Sequence, residues 1–115
     1  QLKPADVPLP DETVGDKRVL KLGGTALELH YTGRNHSDSS LVMFLPKEKI
    51  LVYADMFNLP PADAPVPNPP VTGTIVFADN IDRLKLDVDR VMSIHSLVPD
   101  RLTSVADIKA SLGRK

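Results

Sequence analysis

A segment rich in proline separates four apolar, strand-like segments from the helix and strand patterns that follow. Residues 57–70 contain Pro60, Pro61, Pro65, Pro67, Pro69 and Pro70. Proline has no amide hydrogen to donate and its ring fixes one backbone angle, so neither a helix interior nor a central strand tolerates such a density. The segment therefore predicts a stiff, largely polyproline-like loop, serving as a rigid connector or as a lid beside a neighbouring site.

Four apolar segments precede this loop and predict four strands. They are residues 18–22, 25–32, 41–45 and 50–54. Gly23 and Gly24 separate the first two and favour a tight hairpin, because glycine can take positive φ at both turn positions. The last two are apolar without alternation, which is typical of central strands covered on both faces. The polar turn 46–49 predicts that they are antiparallel neighbours.

The chain after the loop alternates between helix and strand patterns. Apolar residues recur at helical spacing from Thr72 to Leu86, and residues 90–94 return to a strand pattern. Ser104 can cap a final helix, with Asp107 completing a capping box and Gly113 ending the helix. The predicted order is therefore β-β-β-β-loop-α-β-α.

Three side chains of the kind that bind metals lie at the ends of these predicted strands. His36 follows the second strand, Asp55 ends the fourth and His95 ends the fifth. Side chains at the ends of neighbouring strands meet at one edge of a sheet, and two imidazoles with a carboxylate suit zinc or iron. Three ligands can hold one metal, whereas a hydrolytic two-metal site needs about five or six. Taken singly, each residue also fits a plainer role, as a surface histidine, a turn carboxylate or a strand-end histidine.

Length and composition exclude several other kinds of function. At 115 residues the chain holds at most one domain, with an extended lead-in over residues 1–16 and the folded part over residues 17–115. The formal net charge of -1 gives no reason to expect a nucleic acid, and no apolar run is long enough to span a membrane. Without cysteine there is no thiolate ligand, and the choice between periplasm and cytoplasm stays open. The chain starts at Gln1 rather than Met, so we expect it to have been trimmed from a longer one.

The stretch from Gly33 to Asp55 resembles part of the metallo-β-lactamase superfamily. Its members carry a histidine in a Gly-x-x-His-[Ser/Thr] loop, then a strand, a Leu-Pro-x-x-Lys-[Ile/Val]-Leu turn and strand, and an acidic or cysteine ligand. Here His36 and Asp55 occupy the first and last of those positions, and His95 matches a histidine that follows a later strand. The resemblance covers roughly residues 17–112 and corresponds to the C-terminal half of the superfamily domain.

The resemblance implies a fold, a ligand set and a chemistry. The fold would be α+β, half of an αββα sandwich with a mostly antiparallel sheet and helices on one face. His36 would bind one metal, His95 a second, and Asp55 the second or both. The metal would be zinc, with iron or manganese as alternatives, and it would activate water against a carbonyl or phosphoryl group.

The sequence departs from the superfamily pattern in three ways. It lacks the His-x-His-x-Asp-His motif, which in the N-terminal half supplies most ligands of the first metal. Ile94 precedes His95, where the usual Pro-Gly-His-Gly has glycine. Asn58 stands near the position at which some relatives carry a lysine for the carboxylate of a β-lactam. The first departure predicts an incomplete site that is inactive in this chain alone, and the third leaves a β-lactam substrate without support.

Two functional hypotheses follow. In the first, the chain is the C-terminal fragment of a metal-dependent hydrolase. In the second, it is a non-catalytic dimer or interaction module, in which the three candidate ligands are relics. Because half a sandwich leaves one sheet face bare, we expect either a homodimer through that face or association with a separate N-terminal half.

Overall fold

The computed structural model describes residues 3–61, 63–95 and 102–115. Its elements follow the predicted order: β1 Lys17–Leu22, β2 Thr25–Tyr31, β3 Leu41–Leu45, β4 Ile50–Tyr53, α1 Thr72–Arg83, β5 Arg90–Ser93 and α2 Val105–Ala110. One short 3-10 helix, Pro4–Asp6, lies in the lead-in. The described part of the proline-rich loop contains neither helix nor strand. No helix of the described ranges has the length and apolar character needed to cross a bilayer.

The strands form a single five-stranded sheet in the order β1-β2-β3-β4-β5. The first four are antiparallel neighbours, and β5 pairs with β4 in parallel. Gly23 and Gly24 form the first turn with φ of 54° and 80°, as the hairpin prediction requires. The parallel pair needs a crossover connection, which the proline-rich loop and α1 provide.

Helix α1 is shorter than its apolar pattern predicts. It ends at Arg83 rather than near Leu86. The correction has a local cause, because Lys85 takes a φ of 52°, a left-handed conformation that a helix cannot continue through. Leu86 still packs against the core, from the segment that leads into β5.

The core lies between one face of the sheet and the two helices. Residues from three strands share that face: Val42, Phe44, Leu51, Tyr53 and Val91. Phe77 of α1 and Ile108 of α2 are fully buried against them, and the rings of Phe77 and Tyr53 lie 4.7 Å apart. The predicted α+β fold with helices on one face is therefore confirmed.

The opposite face of the sheet is only partly covered. Strands β3 and β4 were expected to be covered on both faces, but in this chain every second residue keeps contact with solvent. The register places Leu20, Leu27, Leu29, Met43, Val52 and Met92 in rows across this open face. Met92 is 48% exposed, and Ile94 beyond it 58%. The apolar pattern without alternation therefore correctly indicates that both faces of β3 and β4 are apolar. The helices of this chain cover one of those faces.

The capping box predicted for α2 is present. Ser104 Oγ accepts a hydrogen bond from the Asp107 amide at 3.1 Å, and Asp107 Oδ2 accepts one from the Ser104 amide at 2.9 Å. Gly113 beyond the helix has a φ of 67°, which suits a residue after a helix end. These contacts fix the start of the helix that buries Ile108.

Replacing Ser104 by alanine tests this cap. We expect Ser104→Ala to lower the free energy of unfolding by about 1 kcal/mol, because the first turn of α2 loses an amide acceptor. Urea unfolding measures the change. Ser39→Ala is the matched control, since Ser39 is exposed. Equal stabilities of the two variants would contradict the capping assignment.

Candidate functional site

A well-bonded loop between β2 and β3 presents His36. At its base Thr32 is buried and donates two hydrogen bonds to the Ser40 carbonyl, from its amide and from its hydroxyl, each at 3.2 Å. Within the loop, the Ser40 hydroxyl accepts from the Ser37 amide at 3.1 Å, and the Asn35 amide donates to the Ser37 carbonyl at 3.2 Å. His36 stands at the outer turn of this loop with its side chain 63% exposed.

A contact between distant parts of the sequence ties the His36 loop to helix α1. Asn35 Nδ2 donates a hydrogen bond of 3.0 Å to the carbonyl of Gly73 in the first turn of that helix. A Cβ on Gly73 would lie 2.9 Å from Asn35 Oδ1, which leaves no room for a larger residue while the contact is in place. The position next to His36 is thus held by a second element as well as by its own loop.

Asp55 lies in a tight turn directly after β4. It takes a φ of 59°, a conformation that aspartate tolerates better than most residues. The Tyr53 hydroxyl donates a 2.8 Å hydrogen bond to the Phe57 carbonyl and so closes the turn around Asp55. Burial raises the pKa of the Tyr53 hydroxyl, an effect that a hydrogen bond with Ser93 partly offsets. The Asp55 carboxylate remains 32% exposed at the sheet edge.

His95 reaches the same edge from the neighbouring strand. Tyr53 and Ser93 are partners in the parallel register of β4 and β5. Asp55 and His95 each lie two residues after this pair, so they leave the sheet side by side. His95 Nδ1 lies 2.6 Å from Asp55 Oδ1, which is a short hydrogen bond. The His95 side chain is 66% exposed.

The structure brings all three predicted residues together around the Asp55 carboxylate. Its Oδ1 contacts His95, and its Oδ2 lies 3.7 Å from His36 Nε2. The second distance is beyond a hydrogen bond and corresponds to an ion pair when His36 is protonated. We call this group, His36, Asp55 and His95, the edge cluster.

The donor set of the edge cluster suits zinc, but its spacing does not match a bound ion. Among the described residues, no group of three His, Cys, Asp or Glu side chains stands in an arrangement that could hold a metal. Two ligand atoms about 2.1 Å from a tetrahedral zinc lie about 3.4 Å from each other. The 2.6 Å between His95 Nδ1 and Asp55 Oδ1 is shorter than that, so those two groups bond to each other. Metal binding would require this pair to open.

A cavity with a volume of about 280 Å³ adjoins the edge cluster. Its wall includes His36 and Asp55 together with three residues at the start of α1, Val71, Gly73 and Thr74. The sequence pattern predicted the two ligands but not the helix residues. The Asn35–Gly73 contact, which joins positions 38 apart, helps to bring them to the same place.

Two other polar side chains, His30 and Asp38, make contacts within the fold. His30 packs under the sheet with its Nε2 2.8 Å from Glu28 Oε2, and it is 4% exposed. Burial raises the pKa of Glu28, but hydrogen bonds from His30 and Lys17 outweigh it and hold that pKa below its ordinary value. Asp38 pairs with Arg34 and closes the His36 loop. Ser96 has no Gly-x-Ser-x-Gly motif around it, so we do not expect it to be a nucleophile, and it lies outside the described residues.

No family model matches this chain, and no curated protein matches it in sequence. Several solved structures, however, match it in fold. The metallo-β-lactamase from Pontibacter korlensis aligns with a TM-score of 0.65 at 20% identity, covering 92% of this chain and 48% of that protein. DIM-1 metallo-β-lactamase aligns with a TM-score of 0.57 at 20% identity, covering 86% of this chain and 43% of that protein. Rubredoxin:oxygen oxidoreductase from Desulfovibrio gigas aligns with a TM-score of 0.59 at 15% identity, covering 93% of this chain and 31% of that protein.

These similarities establish the fold. The chain has the architecture of half of a metallo-β-lactamase domain, and it spans less than half the length of each of those three proteins. The neighbours include proteins named as β-lactamases and one named as an oxidoreductase, so the shared architecture serves more than one kind of chemistry.

Replacing Gly73 by alanine tests how the His36 loop is held. The new Cβ would displace the Asn35 carboxamide and break its hydrogen bond to α1, which is worth about 1 kcal/mol. We therefore expect the Asn35 amide hydrogen to exchange about fivefold faster in Gly73→Ala, measured by NMR. Gly15→Ala is the control, because a Cβ on Gly15 meets nothing within 4 Å. Unchanged exchange in Gly73→Ala would show that the contact does not hold the loop.

Proposed function

We propose that this chain forms the C-terminal half of a metal-dependent hydrolase of the metallo-β-lactamase superfamily. One observation carries the proposal: on a sheet with this fold, one carboxylate lies between two imidazoles at the edge where the β4 and β5 strands end. The sequence pattern alone predicts the same three residues as ligands. Their meeting at one edge is what a common ligand role requires.

The edge cluster supplies only part of a metal site. In this proposal His36 binds one metal, His95 a second, and Asp55 the second or both. A two-metal hydrolytic site needs about five or six protein ligands, so the others have to come from an N-terminal half. We expect this chain alone to bind zinc weakly or not at all and to be inactive.

The chemistry divides between the metal and the residues of the chain. Zinc, or iron or manganese in its place, would supply Lewis-acid polarisation of a substrate carbonyl or phosphoryl group and activation of water at neutral pH. Asp55 Oδ1 orients the His95 ring through their 2.6 Å hydrogen bond, and Asp55 Oδ2 lies 3.7 Å from His36 Nε2. The tight turn closed by Tyr53 and the loop held by Asn35 keep those side chains at the edge.

The substrate class of this hydrolase is set by loops around the edge cluster. We consider four substrate classes for the superfamily: lactams, lactones, thioesters and phosphodiesters. Asn58 lies beside the cavity in place of a carboxylate-binding lysine, which disfavours a β-lactam. The proline-rich loop contributes Asn58 to the cavity wall, so it takes part in forming the substrate side of the site.

Metal analysis of the protein that contains both halves tests the proposal. We expect zinc to remain bound after dialysis, and to bind at least about tenfold more weakly in His36→Ala, Asp55→Ala and His95→Ala, because each variant removes a ligand. Asp38→Asn is the matched control, since it removes a carboxylate only two positions from His36 that pairs with Arg34 instead.

Two outcomes would count against this proposal. Full zinc content in Asp55→Ala would show that the edge cluster is not part of the metal site. A wild-type protein without zinc, iron or manganese would remove the hydrolase assignment itself. Stoichiometric zinc in this chain alone, lost in His36→Ala and Asp55→Ala, would show instead that the half-site is stronger than proposed.

The open face of the sheet is the proposed partner surface. Its rows of apolar side chains run across all five strands, and Leu41, Met92 and Ile94 keep more than a third of their surface exposed. Burying roughly 800 Å² of such surface per partner is typical of a stable interface, at about 25 cal/mol per Å² of apolar area. The N-terminal half of the domain would cover this face, and a second copy of the chain would cover it in a homodimer.

Light scattering tests the partner surface. At micromolar concentration we expect a dimer of this chain, and a monomer for Met43→Lys, which puts a charge in the middle of the open face. Lys21→Glu is the control, because Lys21 lies on the other face of an edge strand. A clean monomer of the wild-type chain would contradict the homodimer.

A non-catalytic interaction module is the second candidate. The observation that favours it is the short hydrogen bond between His95 and Asp55, which satisfies both groups without a metal. The coding sequence upstream of Gln1 separates the two candidates. A His-x-His-x-Asp-His segment within roughly 100 residues supports the hydrolase, and a start codon directly before Gln1 supports the module.

A further inference from the structure

The backbone pairing of β4 with β5 ends just before His95. Its last hydrogen bond is donated by the Ile94 amide to the Tyr53 carbonyl at 2.9 Å. The next amide, that of His95, donates instead to the side-chain oxygen of Ser93 at 3.2 Å. A serine oxygen that accepts from the amide two residues further on favours a turn. Ser93 therefore directs the chain at the point where the sheet no longer does.

The Ser93 hydroxyl also bonds to Tyr53, its partner in the parallel register. The hydroxyl hydrogen of Tyr53 is donated to the Phe57 carbonyl at 2.8 Å. The bond with Ser93 therefore uses the Ser93 hydrogen and the Tyr53 oxygen, because a phenol oxygen can accept while its hydrogen donates. Four groups are thus linked in series: the His95 amide, the Ser93 hydroxyl, the Tyr53 hydroxyl and the Phe57 carbonyl. We call this series the hydroxyl chain.

The hydroxyl chain joins the two turns that carry Asp55 and His95. Its Phe57 end closes the turn after β4, and its other end starts the turn after β5. Tyr53 is 1% exposed and its ring packs on Phe77, so the middle of the hydroxyl chain is anchored in the core. The free space among these side chains is about 10 Å³, which is barely enough for one water. Direct hydrogen bonds of this kind strengthen one another when they are buried.

We propose that Ser93 is a positioning residue for the candidate ligand His95, and that it acts together with Tyr53 to hold the His95 ring against the Asp55 carboxylate at 2.6 Å. The bond from Ser93 goes to the main chain of His95, so it stays available when the ring turns from Asp55 to a metal. Its value for metal binding rests on the proposed hydrolase function. Its effect on the pair of Asp55 and His95 does not.

The tautomer of His95 in the metal-free chain tests this positioning. A carboxylate can only accept, so the bond to Asp55 selects the neutral ring that carries its hydrogen on Nδ1. We expect Ser93→Ala to lower the ratio of the Nδ1–H form to the Nε2–H form about fivefold, the factor of one typical hydrogen bond. Nitrogen NMR shifts of the ring measure the ratio at about pH 9, where imidazoles are neutral. Ser93→Thr keeps a hydroxyl and should restore it.

A second variant and a matched control show whether the hydroxyl chain is responsible. Tyr53→Phe keeps the packed ring and removes the other hydroxyl. Because both hydroxyls act in series, we expect the double variant to lower the ratio about fivefold, as each single variant does, rather than about twenty-five-fold. Ser111→Ala is the control. Ser111 is half-buried at the end of α2 and donates to the Ile108 carbonyl at 2.7 Å, so its loss removes a similar hydrogen bond from another element.

The outcomes separate this positioning role from the hydrolase proposal. An unchanged ratio in Ser93→Ala, an equal loss in Ser111→Ala, or single effects that multiply in the double variant would each overturn it. In the protein with both halves, Ser93→Ala should bind zinc at least about tenfold more weakly. Unchanged zinc affinity would overturn the role in metal binding. A wild-type protein without metal would overturn the hydrolase proposal, and the tautomer ratio would still decide whether Ser93 positions His95.

Discussion

The parallel pairing of β4 with β5 is the contact on which the site depends. It sets Tyr53 opposite Ser93, so the residues two positions further on, Asp55 and His95, emerge at the same edge and meet at 2.6 Å. A parallel pair cannot form without a crossover, and here α1 makes it while packing Phe77 on the Tyr53 ring. The helix that buries the end of β4 is thus also the helix whose start lines the cavity. The position of α1 therefore determines both the core packing and the geometry of the site.

Local sequence patterns predicted the elements because each has a local physical cause. The glycine pair forms the first hairpin, the prolines exclude regular structure from their loop, and the Ser104–Asp107 pair starts α2. What the sequence did not predict depends on contacts between distant residues. The left-handed Lys85 that ends α1 early, and the Asn35–Gly73 contact across 38 positions, leave no periodic pattern. Hence His36, Asp55 and His95 could be selected from the sequence, while the cavity residues at the start of α1 could not.

The one-sided core is the reason why we propose a partner under both functional hypotheses. Both helices pack on the face that carries Leu51 and Val91, so the opposite face is only partly covered by the described residues. Small domains bury a modest share of their surface, and leaving apolar side chains such as Met92 in water forgoes further stabilisation. Whatever covers that face would also approach the sheet edge where the ligands stand. If the proposals on the partner and on the metal site both hold, one assembly would stabilise the fold and complete the site.

The competition between a hydrogen bond and a metal at Asp55 decides what the edge cluster does. The bond to His95 contributes about 1.5–3 kcal/mol at most, since one partner is charged. A complete structural zinc site contributes about 10–16 kcal/mol, far more than is needed to open that bond. With three ligands from this chain, much less of that free energy is available, and the short bond persists. In the half-domain, Asp55 and His95 therefore form a closed pair with His36 beside them, and in our proposal the three residues would become ligands when another surface brings the remaining donors.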